Sequence, residues 1–260
     1  MKILELNNIM FRYDRESDEF NLKNISLELT RGDFTAVLGP NGAGKSTLIK
    51  IFSGVLKPES GSISLKGKFL SSYSRKEIAK NISFVPQSSG NAYPFSVFEI
   101  VMMGRSPYLN LWGREAPKDI EIVKEALNLV GIYHLRDKGI NEISGGEAQR
   151  AYIARAFAQQ TEIILLDEPN SHLDIEHQLS IFRLLKKFNE EKGITIVTIS
   201  HDLNLTGGFC KQGIILKNGE LVHHGKVEDI LTNENIKSIF NVDSNIIYEK
   251  DRLSVSIVAS

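Results

Sequence analysis

Alternating apolar and polar positions open the chain and predict two half-exposed strands. The first covers residues 3–11 and the second residues 20–29, with a charged turn at 12–18 between them. Residues 35–38 are apolar throughout, which is typical of a parallel strand covered on both faces. The start of the chain therefore predicts two kinds of sheet, one antiparallel and one parallel.

Helical periodicity and short apolar runs alternate along the rest of the chain. This alternation predicts βαβ units and a parallel sheet. Residues 88–142 differ because helical spacing dominates there, and they predict a helical insertion with a loop at 104–118. The helices expected are at 48–53, 76–80, 97–103, 120–130, 145–159 and 175–191. The other strands expected are one within 54–67 and those at 82–87, 163–167 and 194–200. A hairpin of 214–216 with 221–222 follows, and residues 227–260 predict two short helices and a terminal strand.

A glycine-rich turn joins the apolar strand to the first helix and fits the pattern G-x-x-x-x-G-K-[ST]. Its glycines allow successive N–H groups to turn inward as an anion-binding nest, and the helix adds its positive end. The ammonium of Lys45 would reach the β and γ phosphates of a nucleotide, and the Ser46 hydroxyl would ligate Mg²⁺. A turn that only caps a helix is the alternative, which the flanking strand and helix disfavour. The predicted nucleotide-binding residues are Gly39, Pro40, Asn41, Gly42, Ala43, Gly44, Lys45, Ser46 and Thr47.

Composition narrows the class of protein. The chain has 260 residues, 42% hydrophobic and 24% charged, which fits one large α/β domain or two small ones. Its formal net charge of −1 suggests no polyanion-binding surface, so phosphate binding must be local. The single cysteine, Cys210, excludes an internal disulfide and a Cys-based zinc site. Glu5 interrupts the apolar N-terminal run, so we expect no signal peptide. No apolar stretch approaches the ~18 residues of a membrane span, so we expect a cytoplasmic protein.

Two carboxylates follow an apolar strand and precede Pro169. In open α/β sheets, ligands bind in the crevice at the carboxyl ends of the strands. Asp167 could hold Mg²⁺ through water there, while Glu168 could orient and deprotonate an attacking water molecule. A solvated acidic strand end is the alternative, and the glycine-rich turn weakens it.

Ser-Gly-Gly-Glu at residues 144–147 opens a helix. Ser-x-x-Glu is a capping box, which only needs to start that helix. A capping box does not require the two consecutive glycines. The free amides at this helix N-terminus, together with the serine hydroxyl, make a second anion site. Two phosphate-binding helix starts thus lie about a hundred residues apart. Two chains that pair head to tail would bring the two sites together.

These motifs together resemble the ATP-binding cassette ATPases over nearly the whole chain. The resemblance implies an α/β P-loop NTPase fold with a RecA-like parallel sheet core, an N-terminal antiparallel β subdomain and an inserted α-helical subdomain. It also implies one domain of residues 1–260, in which 1–87 and 143–260 form the core and 88–142 form the helical subdomain. Two such chains would form a nucleotide-sandwich dimer. The matching motifs are Walker A at 39–47, Gln87 as Q-loop, the signature at 143–147, Walker B at 163–168, the D-loop at 170–174 and His201 as switch histidine.

The resemblance assigns further roles. Tyr13 would stack on adenine, with simple packing as the alternative, and Gln87 would ligate Mg²⁺ and sense the γ-phosphate. His201 would bond the γ-phosphate, with a core histidine as the alternative. Residues that would act on the partner's ATP are Ser144, Gly145 and Gly146, and Asp174 joins the nucleotide site through the D-loop. Departures from the family pattern are Ile143 for leucine and the pair Gly207-Gly208 in place of bulkier residues.

Residues 96–113 resemble the same stretch in ATPases of importers for iron-siderophores, haem and cobalamin. Its apolar side chains, Tyr108, Leu109, Leu111 and Trp112, would either meet a partner or fold back on their own helices. We therefore expect an ATPase subunit at the inner face of the cell membrane, working with a second copy, permease subunits and indirectly a substrate-binding protein, without nucleic acid.

Three alternatives remain open. An importer for another substrate, such as a metal ion, has the same motifs. A soluble mechanochemical ATPase is disfavoured because the insertion is short and lacks heptads. A small-molecule P-loop kinase is disfavoured by Glu168, since a kinase must exclude the water that Glu168 would activate.

Overall fold

A computed structural model describes residues 1–14, 21–87, 95–109, 115–170, 173–249 and 252–258. Within these ranges the strands are β1 (Lys2–Phe11), β2 (Leu22–Thr30), β3 (Phe34–Leu38), β4 (Ser60–Leu65), β5 (Lys68–Phe69), β6 (Ile82–Val85), β7 (Ile163–Leu166), β8 (Thr195–Ile199), β9 (Gln212–Lys217), β10 (Glu220–Lys226), β11 (Asp243–Glu249) and β12 (Arg252–Val258). The helices are α1 (Lys45–Phe52), α2 (Arg75–Asn81), α3 (Val97–Met102), α4 (Pro117–Leu129), α5 (Gly145–Ala158), α6 (Ile175–Lys192), α7 (Leu203–Phe209), α8 (Val227–Ile230) and α9 (Asn233–Phe240).

The first sheet is antiparallel, with strand order β2-β1-β4-β5. Leu6 of β1 lies opposite Leu27 of β2 and Ile63 of β4, and all three side chains are buried. Ser26 and Glu28, on either side of Leu27, are exposed. The alternation of the opening residues therefore predicts this sheet correctly.

The second sheet has the order β10-β9-β3-β8-β7-β6, and its strands run parallel except for β10. All five residues of β3 are buried. Its Ala36 packs into one hydrophobic cluster and Val37 into another, so both faces of the strand are covered as predicted. Because the strands are parallel, the carboxyl ends of β3, β6, β7 and β8 meet at one edge of the sheet.

The two hydrophobic clusters hold the layers together. One joins α1 to both sheets and includes Ile25, Leu48 and Phe52. The other joins the opposite face of the parallel sheet to α3, α4, α5 and α6, and includes Val123 and Phe182. Helix α1 is thus fixed between two sheets, which gives the turn that precedes it a rigid support. Among the described residues, no helix is both long and apolar enough to cross a membrane.

Both ends of the loop expected at 104–118 are helical in the described residues. Met103–Tyr108 is a 3₁₀ helix, and α4 already begins at Pro117, where proline has a favourable φ for a first helical residue. Arg105 is buried, and its Nε donates to Asp119 Oδ1 at 2.8 Å. The Tyr108 hydroxyl donates to the backbone oxygen of Gln159 at 3.0 Å, so this side chain folds back. Leu111 and Trp112 lie outside the described residues.

The last part of the chain corrects the prediction of one terminal strand. After the two short helices α8 and α9, strands β11 and β12 form a two-stranded hairpin in which Ile246 lies opposite Val255. Neither residue between the two strands, Lys250 or Asp251, is a glycine or proline, so the sequence lacks the usual hairpin signal. The sequence does not predict helix α7 either, because Gly207 and Gly208 lower its helix propensity.

Candidate nucleotide-binding and catalytic site

The turn between β3 and α1 requires its glycines for different reasons. Gly39, Gly42 and Gly44 have φ values of 142°, 78° and 97°, which residues with a Cβ rarely adopt. A Cβ on Gly39 would lie 2.1 Å from the backbone oxygen of Leu216. A Cβ on Gly42 would have no described atom within 4 Å, so only its backbone angle demands glycine. The N-cap of α1 has no side-chain hydrogen bond from the described residues and no acidic residue in its first turn, which suits an anion site.

Lys45 lies inside this turn with 6% of its surface exposed. Its Nζ donates to the backbone oxygens of Gly39 and Pro40, each at 2.8 Å. Burial lowers the pKa of the Lys45 ammonium, while the carboxylates of Glu168 and Asp167 act in the opposite direction. A cation is thereby held at the base of the turn, where phosphate oxygens would replace the two carbonyls.

Ser46 and Asp167 join the turn to the end of β7. The Ser46 Oγ donates to Asp167 Oδ1 at 3.0 Å, and the Asp167 side chain is buried. Burial raises the pKa of the Asp167 carboxyl, and the hydrogen bond from Ser46 opposes this. A hydroxyl and a carboxylate at this distance are oxygen ligands of the kind that Mg²⁺ prefers.

Glu168 is held from both sides. Its Oε2 accepts a hydrogen bond from Gln87 Nε2 at 2.6 Å, and its Oε1 lies 2.7 Å from His201 Nε2. The backbone φ of Glu168 is 50°, a left-handed conformation that costs a residue with a side chain on the order of 1–3 kcal/mol. Three residues that follow β6, β7 and β8 therefore converge, and nothing in the sequence indicates the backbone strain at Glu168.

Tyr13 lies beside the helix that follows the turn. Its hydroxyl is 3.3 Å from Thr47 Oγ1, and its ring meets the Phe11 ring edge-on at a centroid distance of 4.9 Å. The residue is 57% exposed. An exposed aromatic ring next to the phosphate turn is suitably placed to stack on a base.

Ser144, Gly145, Gly146 and Asp174 belong to a second cluster. The capping box is present: Ser144 Oγ accepts from Glu147 N at 3.3 Å, and Glu147 Oε2 accepts from Ser144 N at 2.8 Å. Asp174 caps α6 by accepting from His177 N at 2.8 Å. Residues 171–172 of the expected D-loop lie outside the described ranges.

His177 connects the two halves of this second cluster, and no motif in the sequence singles it out. Its Nδ1 is 2.8 Å from Asp174 Oδ1. A Cβ on Gly146 would lie 2.8 Å from its Cδ2. A side chain at Gly146 would therefore press on the His177 ring, whereas a Cβ on Gly145 would meet none of the described atoms within 4 Å.

The comparisons with known proteins agree with this geometry. A family model described as ABC transporter matches residues 22–171. The ferric enterobactin transport ATP-binding protein FepC of Escherichia coli K12 is 39% identical over 225 residues, covering 86% of this chain and 83% of that protein.

Two solved structures share the fold. A putative metal-chelate type ABC transporter in an inward-facing conformation gives a TM-score of 0.85 at 30% identity, covering 99% of this chain and 97% of the other. The dimeric ATP-binding cassette MJ0796, bound to ADP and Pi, gives 0.76 at 32% identity, covering 86% and 99%. The present chain belongs to the ABC transporter family, as an ATPase subunit with the cassette fold.

Proposed function

We propose that this chain is the ATP-hydrolysing subunit of a binding-protein-dependent importer for an iron-siderophore, haem or cobalamin. The observation that carries the proposal is the position of Glu168, held between Gln87 and His201 at the edge of the sheet where the phosphate turn lies. The similarity to the ferric enterobactin transport protein supports an iron chelate as the transported substrate.

The chain's own residues divide the work of hydrolysis. Amides of residues 39–47 and the Lys45 ammonium hold the β and γ phosphates. Glu168 orients a water molecule and accepts its proton as the water oxygen attacks the γ-phosphorus, and ADP leaves with the electron pair of the broken P–O bond. Gln87 and His201 hold the Glu168 carboxylate and contact the γ-phosphate side of the site. Tyr13 stacks on the adenine.

Mg²⁺ fits the residues present. In the part of the chain that the structure describes, no three or more His, Cys, Asp and Glu side chains group closely enough to hold a metal ion by themselves. Ser46, Gln87 and Asp167 would hold the ion through oxygen atoms, Asp167 by way of a water molecule. When bound with ATP, the ion neutralises phosphate charge.

The second cluster completes the site of another copy. Ser144, Gly145 and Gly146 start a helix whose amides face a γ-phosphate only if a partner chain presents one. Asp174 is tied to this turn through His177, so both elements approach the partner together. The dimeric arrangement of the similar cassette supports a head-to-tail pair with two shared ATP sites.

The helical segment 88–142 is proposed as the surface that meets the permease. Residues 1–87 and 143–260 form the catalytic core, and the chain lies peripherally on the inner face of the membrane. The permease in turn receives cargo from a substrate-binding protein.

Uptake experiments test the transport role. The chain is produced with a candidate permease in membrane vesicles, and ATP-dependent uptake of a radiolabelled ferric siderophore, haem or cobalamin is measured. We expect uptake by the unchanged chain and none with Lys45→Ala, which removes the phosphate-binding ammonium. Hydrolysis by a chain that neither copurifies with nor energises any permease would contradict the proposal and favour a soluble mechanochemical ATPase.

A further inference from the structure

Helix α7 directly follows His201 and is weak by itself. It has only two turns, and its second turn contains Gly207 and Gly208. Glycine has a lower helix propensity than alanine, so each of the two weakens the helix. Helices of this length are not stable alone in water. The position of α7 must therefore come from what it packs against.

The first turn of α7 is bonded to the residue next to His201. The Asp202 carboxylate accepts from Asn204 N at 2.8 Å and from Leu205 N at 2.9 Å. The backbone oxygen of Asp202 accepts from the hydroxyl of Thr206, which is fully buried, at 2.9 Å. A displacement of α7 would therefore move Asp202, and His201 with it.

The hairpin β11–β12 is attached to α7 by the Asn204 side chain. Asn204 Nδ2 donates to the backbone oxygen of Val255 at 3.2 Å, and Val255 N donates to Asn204 Oδ1 at 2.6 Å. An asparagine amide has the same donor and acceptor as a peptide group, so it pairs with the outer edge of β12 as another strand would. One side chain of α7 thus satisfies both backbone groups of Val255.

Gly207 allows the second contact. A Cβ at this position would lie 2.3 Å from the backbone oxygen of Leu253 and 2.9 Å from its Cδ2. Leu253 and Val255 are both buried by the packing of the hairpin. A Cβ on Gly208, by contrast, would have no atom of the described residues within 4 Å. The two neighbouring glycines therefore differ: the first is required by the hairpin and the second is not.

The hairpin also reaches the catalytic groups. Val255 and Ile257 of β12 line the same cleft as Glu168, His201 and Asn204. The match to the family model ends at residue 171, so the hairpin lies outside the matched segment.

We infer that Asn204 and Gly207 are positioning residues, through which the hairpin β11–β12 holds α7 and keeps His201 against Glu168 during ATP hydrolysis. The inference rests on the proposed function, which supplies the roles of Glu168 and His201. The hairpin lies far from the phosphate turn in sequence, yet by this inference it helps to position the catalytic groups.

The two glycines provide a matched test. Gly207→Ala and Gly208→Ala both raise the helix propensity of α7, but only Gly207→Ala displaces Leu253. We expect kcat for ATP hydrolysis to fall about 10- to 100-fold in Gly207→Ala, because small misplacements of catalytic groups have effects of this size. The Kd for ADP, which lacks the γ-phosphate, should be unchanged, since residues 39–47 are untouched. Gly208→Ala should keep the kcat of the unchanged chain, and equal kcat values for the two variants would overturn the inference.

Asn204 provides a second, independent route. Asn204→Ala should lower kcat with an unchanged Kd for ADP, and Asn204→Asp, which keeps the acceptor for Val255 N, should give an intermediate kcat. The control is Ser256→Ala, an exposed residue of β12. A parallel loss of kcat and ADP affinity, or an equal loss of kcat in Ser256→Ala, would indicate general destabilisation and overturn the inference. An inactive unchanged chain would instead contradict the proposed function.

Discussion

His201 Nε2 lies 2.7 Å from Glu168 Oε1, and this contact joins the ends of the adjacent strands β8 and β7. Gln87, at the end of β6, contacts the other carboxylate oxygen of Glu168. Because β7 lies between β6 and β8, its carboxylate has a partner on each side. The strand order of the sheet thus explains why Glu168 has a fixed position.

Replacement of Glu168 tests its role as the base. Glu168→Gln keeps the shape and can still bond His201, but it cannot accept a proton from water. We expect ATP hydrolysis to fall by about 10²- to 10⁴-fold while ATP binding is retained, as measured by steady-state phosphate release and by equilibrium binding. Glu190→Gln, an exposed residue of α6, is the charge-matched control. Near-normal turnover in Glu168→Gln would remove the assigned role.

The phosphate turn should tolerate alanine unequally. Gly39→Ala forces a Cβ to within 2.1 Å of the Leu216 backbone oxygen, whereas Gly42→Ala enters open space and strains only its own backbone angle. We expect Gly39→Ala to lower both the free energy of unfolding and ATP affinity strongly. Gly42→Ala should lower the free energy of unfolding by only about 1–2 kcal/mol. Denaturant unfolding and ATP titration compare the two, and equal losses of stability would show that the clash with Leu216 does not decide the difference.

Mixed dimers test whether the ATP site is shared between two copies. Lys45→Ala removes the phosphate-binding ammonium, and Ser144→Arg places a bulky cation in the turn that would face the partner. Each variant alone should be nearly inactive, but a mixed dimer contains one intact composite site. Mixing the two variants should therefore restore hydrolysis. A mixture no more active than the two variants measured separately, or ATP binding as tight in monomers as in dimers, would speak against sharing.

The buried ion pair of Arg105 and Asp119 should matter for stability. Their side chains are 5% and 8% exposed, so Asp119→Ala would leave a guanidinium buried without its carboxylate. Such a loss costs about 3–5 kcal/mol, to be measured by urea unfolding against Glu125→Ala, an exposed position of the same helix. If Asp119→Ala loses no more unfolding free energy than Glu125→Ala does, the ion pair does not stabilise the fold.

The same pair should show a pH dependence in unfolding. The Ala116 N–H, and then Arg105, hold the pKa of Asp119 below its usual value. The group therefore stabilises the fold fully above the usual carboxyl pKa, and this contribution disappears as pH falls through the lowered folded value. The difference in unfolding free energy between the unchanged chain and Asp119→Ala should accordingly shrink in acid.

Much of the site was predictable because its chemistry is local in sequence. Residues 39–47 form a continuous motif, and Asp167 and Glu168 follow an apolar strand that marks their position at the sheet edge. Contacts between distant residues carry no such signal. The bonds of Asn204 to Val255 and the approach of Gly146 to His177 depend on how separate elements pack. Arg105 was missed for the same reason, since its partner Asp119 belongs to another helix.

The parallel sheet sets the dimensions of the site. Neighbouring strands lie about 4.8 Å apart, so the residues that follow β6, β7 and β8 are spaced at one-strand intervals whatever the chain does between them. β6 and β7 are neighbours although the whole helical segment separates them in sequence. If that segment meets the permease as proposed, its length and surface can differ between importers without altering the distances on which hydrolysis depends.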